Sequence, residues 1–188
     1  ILEDKSVGGV PTVEMFRKKF ADDPATFMLI DKATRGKTET ILFNIDIEGS
    51  INKDKTAVLR VFAKMFYNHL GFFGENLKVA MLEQYIDQLG KTEEFRRVFE
   101  AKKGKSWVDQ RKAFAFNGKF IIPTLMEVLD MSEEDAKRWF NDKTAVEFSI
   151  AQLVEDIKAY VKKQPKDFRL IFLIDEVGQY VGTDTDML

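Results

Sequence analysis

Asp175 and Glu176 close an unbroken apolar run, Leu170-Ile171-Phe172-Leu173-Ile174. A run of that kind, entered from Arg169 and ended by two acids, is the pattern of a buried parallel strand. Such a strand delivers carboxylates to the edge of a sheet, where α/β proteins keep their ligands. Two adjacent carboxylates there can divide the work of hydrolysis. The first holds magnesium, directly or through water, and the second polarises the attacking water. Asp175 is therefore the candidate metal residue and Glu176 the candidate base. A core strand that happens to end in a solvated acid pair would read the same way.

Acids so placed form the Walker B pattern of P-loop nucleotide hydrolases, which also need a glycine-rich loop around the phosphates. Ala101-Lys102-Lys103-Gly104-Lys105-Ser106 imitates the end of such a loop. Phe99 stands where the first glycine is required and a helix, not a strand, precedes it, so a polar turn between helices is the expectation. No other segment has the Gly-x-x-x-x-Gly-Lys-Ser/Thr spacing.

A different chemistry is suggested by Asp46-Ile47-Glu48, two carboxylates on one strand face, with Tyr180 and Asp184 spaced like the last motif of DEDD-type 3′–5′ exonucleases, which use two metal ions. Gly182, Thr183 and Thr185 make that last motif a loop rather than the usual helix. The middle motif has only Asn141-Asp142 to offer. His69, the sole histidine, has no second histidine and no Ser or Cys dyad nearby, which suits a structural role. Phe62, Phe66, Phe72, Phe73, Phe95, Phe99, Phe114, Phe116 and Phe120 recur at helical spacing or beside turns and read as core.

Between Lys91 and Lys119 lie Lys91, Arg96, Arg97, Lys102, Lys103, Lys105, Arg111, Lys112 and Lys119, with Trp107 among them. The stretch could contact DNA or RNA phosphates. Glu93, Glu94, Glu100 and Asp109 are interspersed, and a solvated face is the weightier reading.

These residues depend on the elements that carry them. Ile1 to Pro11 reads as loop, with Gly8, Gly9 and Pro11 as breakers, and Thr12 to Phe20 as a short helix ended by Asp22-Asp23-Pro24. Thr26 to Asp31 and Thr38 to Glu48 read as strands of a β-hairpin around Gly36. In the second strand Ile41, Phe43, Ile45 and Ile47 alternate with Leu42, Asn44, Asp46 and Glu48. From Asp54 to Gln164 the pattern is helical: Asp54 to Leu70, Glu75 to Leu89, Thr92 to Lys102, Ser106 to Phe116, Thr124 to Leu129, Ser132 to Phe140 and Val146 to Lys163. Ser132 with Asp135 resembles a capping box.

The expected fold class is α/β: a partial P-loop NTPase sheet of AAA+/ASCE type with a large all-helical insertion. Residues 1–53 and 166–188 supply the core and 54–165 the insertion.

With 188 residues and a formal net charge of −2, the chain has no global electrostatic pull toward nucleic acid or acidic membranes. It has no cysteine, which excludes disulfides, thiolate zinc sites and thiol catalysis. No apolar run reaches the roughly 20 residues of a membrane span, and the expected location is the cytoplasm. The ends, Ile1 and Met187-Leu188, suggest an excised piece of a larger protein.

The segments "ETILFNIDIEG", "AVLRVFAKMFYNHLGF", "WFNDKTAVEFSIAQLVEDIKAYV" and "FRLIFLIDEVGQYVG" resemble the BrxC/PglY family of BREX phage-defence P-loop proteins, very large AAA+-type ATPases. The resemblance implies ATP and Mg²⁺ as ligands of the full-length parent, with Asp175 and Glu176 as its Walker B pair. Gln179 and Tyr180 follow in the same motif without an assigned role. It further implies a Walker A loop upstream, sensor and arginine-finger elements downstream, and a multi-protein complex that excludes phage DNA. Contact with other BREX subunits or with DNA, and oligomerisation of the parent, belong to the same expectation. The 188 residues alone are expected to be inactive.

Overall fold

Asp23 decides the first part of the chain. Its side chain accepts the backbone N–H of Thr26 and Pro24 occupies the first helical turn, so Pro24–Ala33 forms helix α2. The strand expected at Thr26 to Asp31 is therefore a helix, and the expected hairpin with Thr38 to Glu48 does not form. Asp22-Asp23-Pro24 does not merely end helix α1, Thr12–Lys19; it starts the next one. Asp31 on α2 receives Arg17 of α1 and Arg35. The Arg35 and Arg17 guanidinium groups hold its carboxyl below the usual carboxylate range.

The computed structural model describes residues 2–3, 5–45, 57–142 and 149–177. Asp46, Ile47, Glu48, Gln179, Tyr180 and Asp184 lie outside these residues, as do the expected helix starts at Asp54 and Val146.

The chain forms two compact units, one of Ile1–Val58 with Ile150–Leu188 and one of Leu59–Ser149. The first opens with a hairpin that the sequence reading took as loop: β1 (Ser6–Val7) pairs antiparallel with β2 (Val10–Pro11). Gly8 and Gly9, at φ 58° and 81°, supply the two positive φ angles that a tight two-residue hairpin turn requires. After α1 and α2 comes β3 (Thr38–Asn44), which pairs in parallel with β4 (Arg169–Asp175). Between β3 and β4 the unit contributes α9, Ile150–Lys162.

The odd positions of β3 form a buried face, with Ile41 at 4% exposure, Phe43 at 5% and Ile45, just beyond the strand, at 2%. Helix α9 is tied to that face: Tyr160 donates to Glu39, and its ring meets Phe168 edge-on at 5.9 Å. The sequence counted this helix with the insertion, and these bonds group it with the strands. Burial first, and then the Glu39 carboxylate, push the Tyr160 hydroxyl up to about 12.

The second unit is helical: α3 (Ala57–His69, from Leu59 onward), α4 (Leu77–Gln88), α5 (Thr92–Lys103), α6 (Trp107–Gln110), a 3₁₀ segment (Arg111–Phe116), α7 (Gly118–Leu129) and α8 (Glu133–Asn141). The single helix expected over Ser106 to Phe116 is broken, because Ala113 leaves helical geometry at φ −102°, ψ 29°. Helix α7 begins six residues before the expected Thr124 and runs through Pro123. Thr124 Oγ1 back-bonds to Phe120 O within that same turn. Ser132 caps α8 by accepting the N–H of Asp135 at 3.1 Å, as its spacing indicated. Among the described residues no helix is long and apolar enough to cross a membrane.

The core of this unit is aromatic. Trp107 meets Phe95 and Phe99 edge-on at 5.0 and 5.1 Å, and Phe114 packs on Trp139 and Phe140. One acid is sunk into it: Glu83, 8% exposed, accepts from Trp107 Nε1 (2.6 Å), Phe73 N (2.6 Å) and Arg111 Nη1 (3.0 Å). These three donors take the place of water around the buried carboxyl group.

Glu83→Ala should destabilise the helical unit by about 3 kcal/mol, because it leaves the Arg111 charge and two donors unmatched. Both tryptophans lie in this unit, so urea unfolding followed by intrinsic fluorescence measures it; a loss under about 1 kcal/mol would contradict the assignment.

In the first unit, the native Tyr160 holds its proton to about pH 12 while an unfolded tyrosine releases it near 10. Its contribution is therefore full below pH 10 and is lost as pH rises to about 12. Circular-dichroism melts across that window should show wild type losing stability faster than Tyr160→Phe; parallel curves would remove the bond from the account.

Candidate functional site

The register of the parallel pair places the chemistry. Thr38 lies beside Arg169 at one end, and Asn44 beside Asp175 at the other. Both strands therefore finish at the same, C-terminal, edge. The apolar run of β4 can lie there because its start is pinned: Arg169 N donates to Lys37 O at 2.9 Å. The Arg169 guanidinium donates to Ala33 O, to Arg35 O at 3.0 Å and to Thr38 Oγ1 at 2.9 Å, joining β4 to the end of α2. Glu39, besides holding Tyr160, pairs with Lys37 at 2.8 Å, and the Lys37 ammonium lies 5.5 Å from the Phe168 ring centroid. Glu3 accepts both the N–H and the hydroxyl of Thr40, occupying the outer edge of β3 at that point.

At the other end the carboxylates are accessible. Asp175 is exposed and Glu176 half-buried. Glu176 has φ 60°, a left-handed conformation that costs a residue with a side chain about 1 kcal/mol or more. Its N–H donates to Asp175 Oδ1 at 2.9 Å. The strand thus stops abruptly at Asp175, and the two acids share a bend instead of alternating across the sheet.

Asn44 is the neighbour that sequence reasoning missed. It read as one polar position on an alternating strand, and only the parallel register puts its amide beside Asp175. That amide could orient a carboxylate, a water or a polar ligand at the edge.

Among the described residues no group of three or more histidines, cysteines or acids could hold a metal ion. With the other described residues the acid pair forms no all-protein cage. It does suit magnesium, which is commonly held by one or two carboxylates with water and substrate phosphates completing its octahedron. Of the alternative nuclease set, Asp46, Glu48 and Asp184 lie outside the described residues, and Asp142 contributes a backbone carbonyl to Lys78.

Four cations of the basic stretch are held within their own unit. Lys91 donates to Val128 O, Arg96 pairs with Glu93 at 3.0 Å, Lys102 with Glu127 at 2.7 Å and Arg111 with Glu83 at 3.0 Å. Lys103 and Lys119 lie against one ring, that of Phe120. The phosphate-loop imitation is a helix-to-helix turn: Gly104, at φ 71°, ends α5, and Ser106 caps α6 by accepting the Asp109 N–H. An open groove of about 410 Å³ beside it is lined by Glu93, Arg96, Arg97 and Glu100 with Ser106, Trp107 and Val108. Its two acids and two arginines offset each other, so it does not select an anion.

No protein-family model matches this chain, and no solved structure matches it.

Proposed function

We propose that Leu170 to Glu176 is the magnesium- and water-handling strand of a P-loop ATPase of the BREX phage-defence type. A phosphate loop that these 188 residues do not contain would complete the site. The observation that carries this reading is the position of Asp175: last residue of a strand paired in parallel, at the sheet edge where α/β proteins bind ligands. The bend at Glu176 supports a division of labour, since it holds the second acid beside the first.

In this reading Asp175 anchors magnesium directly or through water, and Glu176 accepts a proton from the water that attacks the terminal phosphate. Asn44 helps to orient that water or the Asp175 carboxylate. Bound magnesium neutralises charge on the phosphate oxygens. The sheet edge supplies the direction of approach, and the bonds of Arg169, Lys37 and Tyr160 keep β3 and β4 in the register that sets Asn44 beside Asp175.

The half-covered sheet also supports membership in a larger α/β core. Leu42 and Leu173, neighbours on one face, are 70% and 42% exposed. Strands of a parallel sheet are ordinarily covered on both faces. Work in the cytoplasm alongside other BREX subunits belongs to this proposal and rests on the resemblance.

Isothermal titration of the 188-residue chain with Mg-ATP should give no measurable binding, and sub-millimolar affinity would overturn the requirement for an external phosphate loop. In a longer protein that contains the loop, Glu176→Gln should retain ATP and lower turnover by about 10²- to 10⁴-fold, the usual contribution of a positioned base. Unchanged turnover would remove Glu176 from that role.

A further inference from the structure

Lys103, at the end of α5, and Lys119, at the start of α7, bring their ammonium groups to within 4.5 and 4.9 Å of the centroid of one ring, Phe120. Two like charges gathered on one aromatic side chain repel each other, and neither forms an ion pair with an acid among the described residues. Glu127, an acid on α7, is taken by Lys102. Two ammonium groups gathered at one ring make a local positive charge that attracts an anion.

Three residues before Lys119 stands Phe116, 89% exposed. The departure from helical geometry at Ala113 accompanies this exposure: Phe114 is buried against Trp139 and Phe140, while Phe116 faces solvent. Lys112, also exposed and without an ion pair among the described residues, lies four residues before Phe116. An uncovered flat ring with cations before and after it combines the two elements of a single-strand binding surface: a platform for a base and charges for the phosphates.

We propose that this corner of the helical unit binds single-stranded nucleic acid, with Lys103 and Lys119 contacting phosphate and a base stacked on Phe116. A duplex keeps its base faces stacked inside and cannot use the ring. An acidic peptide could use the lysines, but its affinity would not depend on Phe116. The site does not involve the acid pair of β4, so its test is independent of the ATPase reading.

The test is fluorescence anisotropy with a fluorescein-labelled oligo(dT) of about 15 nucleotides, long enough for a typical single-strand site, titrated with the 188-residue chain between about 50 and 200 mM salt. Saturable binding that weakens with salt is expected. Lys103→Ala with Lys119→Ala should make the log–log salt slope shallower by about 1.4, two phosphate contacts at roughly 0.7 each. Phe116→Ala should weaken binding about tenfold with the slope unchanged, and Phe116→Trp should preserve it. Absence of saturable binding at the lower salt would overturn the proposal. So would tighter binding to duplex, equal competition by polyglutamate, or full affinity in a Phe116→Ala variant whose circular dichroism is unaltered.

Discussion

The parallel pairing of β3 with β4 is the constraint on which the first unit depends. Two strands that run side by side in the same direction cannot be joined by a tight turn; the chain must cross back over a long connection. Here that connection contains the whole helical unit and then α9. Pairing strands so distant in sequence carries a loop-closure cost that grows only slowly with the length of the connection. The bonds at the base of the pair help to offset it: Arg169 to the end of α2, Tyr160 to Glu39, and Lys37 to Glu39. The two strands then finish together, and Asp175 meets Asn44 instead of standing alone.

The division of charge between the units follows from where the acids are placed. In the helical unit Glu83 is buried and gathers Arg111, Trp107 and the Phe73 amide, so one acid connects α4, α6 and the 3₁₀ segment that follows α6. In the sheet unit Glu3, Asp31 and Glu39 do comparable work nearer the surface, capping a strand edge, bridging α1 to α2 and holding α9. These carboxylates are structural. Asp175 and Glu176 differ because the bond between them is local, Glu176 N–H to Asp175, and their side chains keep solvent exposure.

Much of this was legible in the residues and some was not. Ile41, Phe43 and Ile45 announced a strand by their alternation, and Leu170 to Ile174 announced a parallel one, but the expected burial of that run is not met, since Leu173 is exposed and its neighbours are only half-buried. The Ser132 cap and the turn hidden in the false phosphate loop were equally plain. Phe27 to Ile30 misled because four consecutive apolar residues carry no period of their own. The deciding signal was Asp23-Pro24 in front of them, which begins helices as readily as it ends them. The break at Ala113 had no signal, since Arg111 to Phe116 has adequate helix propensity throughout and only the packing of Phe114 inward selects the kink. Asn44 was invisible as a site residue because register between strands so far apart is not written in either one.

The bond from its own N–H to Asp175 helps Glu176 to tolerate a left-handed conformation. A left-handed residue with a side chain is unfavourable, and a strand with room to continue would avoid it. Asp175 compensates in part by accepting the Glu176 N–H, which stabilises the bend and directs one carboxylate oxygen toward the backbone. The second oxygen is then the one available to a ligand. A single available oxygen with an adjacent acid cannot retain a divalent ion in competition with water, because magnesium gives up its hydration reluctantly. In the proposed ATPase, phosphate oxygens would have to share the ion before that oxygen could hold it.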